Sequence, residues 1–193
     1  MLNLHFITEN LATGGDLPWR DTDAAAVIEQ WRELGITHVV DNRLEYSDGE
    51  LVARHAPEIA YSHIGVDDIG GKQPLHWYDD GVAFIRTALN DPNAKVLTHC
   101  HMGINRGPSL AYAAMLDAGF DPVAAISMIR AVRSIAAVGY AEDALDWFHL
   151  RRDSADAERS DDHRRLATWR DAHPLDVVRI IRQIRDEEAG RVA

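Results

Sequence analysis

The chain has 193 residues, of which 46% are hydrophobic and 26% are charged, and its formal net charge at pH 7 is −11. This length and composition predict one soluble globular domain with an extension, and they argue against a disordered or membrane-embedded chain. The negative charge opposes binding to nucleic acid or to an anionic membrane surface, and no apolar run approaches the roughly 18 residues of a membrane span.

Cys100 is the single cysteine of the chain, so no internal disulfide forms and a reducing compartment is the simpler assumption. The N-terminal segment lacks the basic patch and the continuous apolar stretch of a secretion signal. We therefore expect a cytoplasmic protein. The presence of Cys100 needs an explanation other than a disulfide.

The first half of the chain alternates between strands and one helix. Four short segments are predicted as strands: 3–8, 11–15, 37–40 and 61–66. Apolar residues at steps of three and four predict a helix over 21–34, which Gly35 ends. The last of these strands is followed by an acidic, glycine-containing loop over residues 67–71, so two acids follow directly on a strand.

The second half of the chain is mostly helical. Four helices are predicted there: 75–89, 109–116, one that Asp121 caps and Pro122 opens, and 141–152. The segment 109–116 is apolar nearly all round, as expected for a helix at the centre of a domain. A short apolar strand over 94–98 comes before it. The predicted order is therefore strand, tight loop, buried helix.

This alternation predicts an α/β fold, a single layered domain with a central, mostly parallel sheet flanked by helices. Active sites in such sheets lie beyond the carboxyl ends of the strands. Charges of both signs are dense over 151–165, and an apolar stripe beyond Pro174 predicts one more amphipathic helix. We therefore divide the chain into a main domain over 1–150 and a charged linker with a C-terminal helical extension over 151–193.

The tight loop combines a thiol with an arginine. Cys100 stands at the end of a strand, and Arg106 stands six residues later at the start of a helix. A loop of this kind turns its backbone N–H groups inward, the helix adds its positive N-terminal end, and Arg106 supplies a two-pronged donor, which together make an anion cradle. Gly103 permits the curl. The same field favours the thiolate form of Cys100, which makes it a nucleophile toward a bound phosphate.

The loop also resembles a known family. One stretch matches the His-Cys-x-x-Gly-x-x-Arg signature of cysteine-dependent protein phosphatases: His99-Cys100-His101-Met102-Gly103-Ile104-Asn105-Arg106. Residues 107–110 are similar to the segment that follows the signature in dual-specificity members. The stretches 10–15 and 34–40 are similar to the corresponding earlier stretches of those members. The resemblance covers about residues 5–150. It implies a dual-specificity phosphatase fold in the protein tyrosine phosphatase superfamily, and we expect no cofactor and no metal.

The resemblance also implies roles for particular residues. A phosphocysteine forms on Cys100, and an aspartate on an upstream loop protonates the leaving group and then activates the attacking water. Asp68 is the candidate for that acid, with Asp67 as its near alternative. His99 braces the loop through hydrogen bonds, with Ser109 as further support. The phosphate-binding residues are then His101, which contributes its backbone N–H, followed by Met102, Gly103, Ile104, Asn105 and Arg106.

Gly107 departs from the family pattern, which usually has serine or threonine directly after the arginine. The hydroxyl of that residue helps the thiolate leave in the second step. Ser109 carries the nearest hydroxyl in the sequence, so the rate of the second step stays open.

Two further features have ordinary interpretations. The run His99-Cys100-His101 suggests a metal site, but no further ligands are spaced to complete a tetrahedral one. Arg43, after the third strand, is interpreted as a solvent-exposed arginine rather than as a substrate contact.

Three functions follow from this pattern. The first is a phosphatase acting on phosphotyrosine, and on phosphoserine or phosphothreonine beside it, in a protein or a small phosphomonoester. The second is a slow, pseudophosphatase-like module that captures phosphorylated partners. The third is a phosphoinositide, nucleotide or RNA 5′-phosphatase, which would want further lysines or arginines in the loop. The oligomeric state and the role of the extension stay open.

Overall fold

The computed structural model describes residues 3–192 and contains a five-stranded sheet. In chain order the strands are Leu4–Phe6 (β1), Leu11–Gly14 (β2), His38–Arg43 (β3), Ala60–Val66 (β4) and Val96–His99 (β5). Their order across the sheet is β1-β2-β5-β3-β4, and only β1 pairs antiparallel. The mostly parallel sheet predicted from the alternating pattern is therefore confirmed.

Helices cover both faces of the sheet. They are Asp21–Glu33 (α1), Gly49–His55 (α2), Leu75–Ala88 (α3), Arg106–Asp117 (α4), Pro122–Val132 (α5), Ala141–Arg152 (α6), Asp156–Ala172 (α7) and Val177–Val192 (α8). On one face, Ile28 and Trp31 of α1 pack with Val52 of α2 against the sheet. The larger core lies on the other face and contains α3, α4, α5 and α6.

The helix that follows β5 lies at the centre of this larger core. Every residue of α4 from Arg106 to Leu116 is buried, as the apolar sequence of 109–116 predicts. Helices α3, α5 and α6 all pack against it. The loop between β5 and α4 is therefore held between a rigid sheet and a buried helix.

Two helices differ from the sequence-based prediction. Helix α2 was not predicted, because its seven residues bury only Val52 and give no helical periodicity. Residues 156–172, expected as part of a charged linker, form α7. Leu166 of α7 is buried in the larger core, and Trp169 packs against it. The domain boundary at residue 150 stays a prediction.

The C-terminal helix predicted from the apolar stripe is present as α8, and Ile180 and Ile184 of this stripe are half-buried. No helix among residues 3–192 combines the length and the apolar character needed to cross a membrane.

Candidate active site

The Cys100 to Arg106 loop lies at the carboxyl edge of the parallel strands. Strand β5 ends at His99, and α4 begins at Arg106. Cys100 is 1% exposed and its thiol is free of disulfide bonding. Its backbone N–H donates to the Gly14 carbonyl at 3.4 Å, which fixes the loop against β2. The structure therefore places the predicted cysteine and arginine at the two ends of one short buried loop.

Gly103 makes the tight curl of this loop sterically feasible. Its φ angle is +63°, in the left-handed region that favours glycine. A Cβ atom at this position would overlap with the Arg133 guanidinium and with the Gly14 carbonyl. The role predicted for Gly103 from the sequence fits both observations.

Arg133 braces the loop from beneath. This arginine follows the last residue of α5, is 2% exposed, and donates to the carbonyls of Gly103 at 2.5 Å and Met102 at 2.8 Å. Burial lowers the pKa of Arg133 to about 10, which still leaves it charged at neutral pH. Because these carbonyls point toward Arg133, the amides of the loop are left to face the opposite side, where an anion would bind.

Arg106 is fixed by a carboxylate and a backbone carbonyl. Its Nη1 and Nη2 donate to the two oxygens of Glu45 at 2.6 and 2.8 Å, and Nη1 also donates to the Val66 carbonyl at 2.9 Å. These hydrogen bonds lower the pKa of Glu45 to about 2. Burial lowers the pKa of Arg106, but the hydrogen bonds to Glu45 together with the charges of Cys100, Asp68 and Glu45 raise it above its ordinary value. The buried Nε makes no hydrogen bond within the described residues and remains a donor for a ligand.

Asp68 lies at the same loop, on the segment that follows β4. Its Oδ1 accepts from Asn105 Nδ2 at 2.6 Å and from the Tyr140 hydroxyl at 2.8 Å, and its Oδ2 lies 3.4 Å from Arg106 Nε. Burial together with the bond to Asp68 raises the pKa of Tyr140 to about 12, so this hydroxyl stays a donor. Asp67 instead offers its backbone carbonyl, to Gln73 Nε2 at 3.2 Å. The structure thus brings the Asp68 carboxylate to the loop.

The two histidines of the signature have different surroundings. The His99 ring is fully buried, and neither of its nitrogens has a hydrogen-bond partner within residues 3–192. The hydrogen bonds expected to brace the loop at His99 are therefore not made by its ring. Its backbone carbonyl accepts from Asn42 Nδ2 at 2.9 Å, and Trp77 Nε1 in turn donates to Asn42 Oδ1. The bracing passes through Asn42.

The His101 side chain does more than the backbone role expected for that residue. Its Nδ1 lies 2.6 Å from Asp16 Oδ2 and 3.2 Å from the Tyr46 hydroxyl. These contacts tie the start of the loop to the segment that follows β2. Further along the loop, Met102 is half-buried and Ile104 is buried. The Ile104 backbone carbonyl accepts a hydrogen bond from the Ala137 N–H at 2.7 Å.

Ser109 lies at the other end of the loop, where the sequence analysis expects it to act as a support. Its hydroxyl lies 3.5 Å from Asn105 Oδ1 and accepts from the Tyr140 backbone N–H at 3.3 Å. Gly107 allows α4 to start very close to β5, because a Cβ atom there would lie 3.0 Å from the Thr98 carbonyl oxygen and 3.1 Å from His99 Cα.

Arg43 is buried rather than exposed, contrary to the interpretation from the sequence. Its side chain is 0% exposed, and its Nη2 lies 2.6 Å from Asp41 Oδ2 and 2.7 Å from Asp48 Oδ2. Asp41, Asp48 and His99 hold possible ligand atoms within 4.8 Å of one another. A metal ion there would have to displace the Arg43 guanidinium from these two carboxylates. Asp16 contacts both Arg43 and His101, so the buried Arg43 is connected to the loop through Asp16.

Four residues of the site were not identified from the sequence: Asn42, Glu45, Arg133 and Tyr140. Each is distant from the signature along the chain, and each acts through hydrogen bonds that have no spacing pattern. Asn42 and Glu45 offered one weak signal, a polar residue near the carboxyl end of β3, since parallel strands end at one edge.

The comparisons with known proteins identify a family. The model of the family described as "Dual specificity phosphatase, catalytic domain" matches residues 21–141. Dual specificity protein phosphatase 26 of Rattus norvegicus is 31% identical over 116 residues, which cover 60% of this chain and 55% of that protein. Dual specificity protein phosphatase 13B of Mus musculus is 34% identical over 119 residues, with 58% and 60% covered. The chain therefore spans little more than half the length of these relatives.

Solved structures share the fold. The crystal structure of PTPMT1 in complex with PI(5)P superposes with a TM-score of 0.63 at 16% identity, covering 79% of this chain and 99% of that one. Human DUSP28 superposes with a TM-score of 0.62 at 19% identity, covering 78% and 95%. At these identities the likeness concerns the fold, and it confirms the layered α/β architecture predicted from the sequence.

Proposed function

Because this chain belongs to the dual specificity phosphatase family, we propose that it hydrolyses phosphomonoesters through a covalent phosphocysteine on Cys100. The proposed substrates are phosphotyrosine and, beside it, phosphoserine or phosphothreonine, in a protein or a small phosphomonoester. One observation carries the proposal: the Asp68 carboxylate lies 3.4 Å from Arg106 Nε, at the loop that begins with Cys100. The nucleophile, the anion clamp and the acid required for phosphoryl transfer thus share one edge of the sheet.

In the proposed first step, the Cys100 thiolate attacks phosphorus while the bond from phosphorus to the ester oxygen breaks. Asp68 gives its proton to that oxygen, so the alcohol or phenol leaves neutral. The backbone N–H groups of the loop and Arg106 stabilise the charge that develops on the phosphoryl oxygens. In the second step, Asp68 takes a proton from water, the water oxygen attacks phosphorus, and the Cys100 thiolate leaves as inorganic phosphate forms.

Arg106 is suited to this role because it is fixed before substrate arrives. Glu45 holds both terminal nitrogens, and Nε has no hydrogen-bond partner within the described residues. A phosphoryl oxygen at Nε would therefore meet a donor that needs little reorientation. Such preorganised charge is the main source of stabilisation in phosphoryl transfer.

The side chains of the loop favour a simple phosphomonoester over a polyphosphorylated substrate. Met102, Ile104 and Asn105 carry no charge, and the His101 ring is engaged by Asp16. A phosphoinositide or nucleotide would bring further phosphates, which need further cationic side chains. The PI(5)P complex belongs to PTPMT1, whose likeness to this chain concerns the fold.

Gly107 favours a second candidate function, the slow phosphate-capturing module. Without a hydroxyl at this position, departure of the thiolate is less assisted, and the phosphocysteine would accumulate. The two candidates share binding and the first step, and they differ in turnover.

Turnover of a generic aryl phosphate by the wild type and by Cys100→Ser tests the proposal, together with a panel of phosphopeptides, phosphoinositides and nucleotides. We expect steady hydrolysis by the wild type and none by Cys100→Ser, which should still bind phosphate analogues because the cradle is unchanged. Substantial turnover by metal-free Cys100→Ser would contradict the proposal. A single burst of phenol with no further turnover would favour the phosphate-capturing module.

A further inference from the structure

A second group of polar side chains lies away from the loop, where α7 packs against α6. It consists of His149 on α6 with Glu158 and Asp162 on α7, and each residue offers one ligand atom within 4.8 Å of the others. Glu158 and Asp162 are one helical turn apart, so both point from the same face of α7. The group thus combines one imidazole with two carboxylates from two different helices.

His149 is the unusual member of this group. Its side chain is 0% exposed, yet neither ring nitrogen has a hydrogen-bond partner within the part of the chain described by the structure. Buried polar atoms are nearly always hydrogen-bonded, so an imidazole with two unpaired nitrogens calls for a partner. The nearest acid is Asp162, whose Oδ2 lies 3.4 Å from His149 Nε2.

We propose that His149, Glu158 and Asp162 bind a Zn²⁺ ion that joins α7 to α6. Imidazole nitrogen and carboxylate oxygen are ordinary zinc ligands, and three protein ligands leave one position for water. Glu158 is exposed, which gives the ion a route from solvent. Asp162 is held by Arg165, whose Nη1 lies 3.1 Å from Oδ1, so Oδ2 is the oxygen turned toward His149.

An ion pair between His149 and Asp162 is the competing explanation. That pair would have to form between His149 Nε2 and Asp162 Oδ2, which lie 3.4 Å apart without making a hydrogen bond. Either partner satisfies one ring nitrogen, so stoichiometric zinc binding is the measurement that separates the two explanations.

His163 provides a matched control on the same helix. Its ring centroid lies 6.3 Å from that of His149, and its Nε2 is 3.1 Å from Asp146 Oδ1. His163 lies outside the proposed ligand set, so its loss should leave zinc binding intact while removing a neighbouring imidazole.

The experiment measures zinc binding by equilibrium dialysis in the full chain carrying Cys100→Ser, which prevents binding to the active-site thiol. We expect one Zn²⁺ per chain, a rise in the melting temperature on adding Zn²⁺, and tetrahedral absorption bands with Co²⁺. Affinity should fall at least about 10-fold in Glu158→Gln and in His149→Gln, since losing a direct ligand costs no less than losing an outer partner. His163→Gln should bind as the parent does.

Absence of stoichiometric zinc from the parent would overturn the proposal. Equal affinity in the parent and Glu158→Gln would do the same, and because Glu158 is exposed this variant keeps the test valid if His149→Gln does not fold. An equal loss in His163→Gln and Glu158→Gln would also reject the assigned ligand set.

Discussion

Two neighbouring aspartates differ in what their side chains contact, and this difference decides which of them is suited to be the acid. The Asp68 carboxylate accepts hydrogen bonds from Asn105 and Tyr140 and lies beside Arg106. Asp67 uses its backbone carbonyl to hold Gln73. A proton donor has to reach the leaving oxygen of a substrate bound at the loop, so we assign the acid role to Asp68.

Replacing Asp68 by asparagine should therefore make hydrolysis depend on the leaving group. For alkyl phosphates we expect kcat/KM to fall roughly 10²-fold or more, the scale of general acid catalysis. Activated aryl phosphates, whose phenol leaves without a proton, should lose much less. Asp67→Asn is the matched control, and kcat/KM across a series of leaving groups is the measurement. Dependence on the leaving group in Asp67→Asn but not in Asp68→Asn would contradict the assignment.

Gly107 is a position where packing, rather than chemistry, restricts the residue. A Cβ atom there would lie 3.0 Å from the Thr98 carbonyl oxygen and 3.1 Å from the carbonyl carbon of His99, both of them backbone atoms of the adjoining strand segment. The serine or threonine usual in the family would require the backbone here to shift by a few tenths of an ångström. A serine at this position therefore adds a hydroxyl and displaces the loop at the same time.

We accordingly expect Gly107→Ser to lower the stability of the fold. Overpacking of this kind costs about 1–3 kcal/mol, which corresponds to a fall of roughly 2–12 °C in the melting temperature of a chain this size. Thermal unfolding followed by circular dichroism measures the change. Gly71→Ser is the control, because a Cβ atom at Gly71 meets nothing within 4 Å. Equal shifts in the two variants would show that the contact with β5 is not tight.

At the scale of elements, α5 contributes to the loop through the residue at its end. Arg133 lies under the loop and binds the carbonyls of Met102 and Gly103. The same guanidinium donates to the Asn3 side chain at 2.8 Å. The shape of the anion cradle therefore depends on Arg133 at the end of α5, although α5 contributes no group that would contact the anion.

Arg133→Met should weaken phosphate binding, although Arg133 itself does not contact phosphate in the proposed mechanism. Methionine keeps the length of the side chain but donates no hydrogen bonds, so the loop carbonyls lose the partner that turns them away from the ligand. We expect the inhibition constant of inorganic phosphate to rise roughly 10-fold or more, because even a small displacement of positioned groups has a large effect. The constant is measured by competition with an aryl phosphate.

Arg130→Met is the matched control on the same helix. The Arg130 guanidinium lies over the Trp169 ring, 5.7 Å from its centroid, on the side of α5 that faces α7. Its loss should leave the inhibition constant of phosphate unchanged. The same increase in both variants would indicate a general loosening of α5 rather than loss of the support for the loop.

The sequence predicts the loop but not the distant residues that support it, Arg133 and Glu45, for a physical reason. Cys100, Gly103 and Arg106 lie in one contiguous stretch, where spacing alone fixes which backbone and side-chain groups meet. Arg133 and Glu45 meet the loop only through the tertiary fold, and the carbonyl partners of Arg133 leave no residue-type signal.

The helices show the same contrast between what local sequence predicts and what tertiary contacts decide. Helix α3 has an apolar residue at nearly every third or fourth position and was predicted within one residue of its observed end. Helix α2 buries only Val52, and α7 buries only Asp162 and Leu166 among its 17 residues. Neither has an apolar stripe wide enough to indicate a helix, so tertiary contacts rather than local pattern decide their structure.

At the scale of the whole molecule, the two C-terminal helices differ in how they join the fold. Helix α7 places Leu166 in the larger core at 0% exposure, and Arg165 of α7 pairs with the Asp121 carboxylate on the segment before α5. Val177, Ile180, Ile181 and Ile184 of α8 are only half-buried, and Val178 is 59% exposed. We infer that α7 belongs to the folding unit and that α8 is an addition to it.

Two truncations test this inference in the presence of a metal chelator, which keeps any zinc effect out of the comparison. A chain ending at residue 153 loses α7, and with it the burial of Leu166, a change on the scale of about 2–5 kcal/mol. We expect its melting temperature to fall by roughly 4–20 °C. A chain ending at residue 174 loses only α8 and should melt close to the full chain.

The boundary at residue 150 and the inference about α7 therefore make opposite predictions for the shorter chain. If residues 1–150 form a self-sufficient domain, a chain ending at 153 should keep the melting temperature and the phosphate affinity of the full chain. If α7 covers the core, removing it exposes the apolar surface on which Leu166 and Trp169 pack. The chain ending at 153 would then bind a dye for exposed apolar surface, while the chain ending at 174 would not.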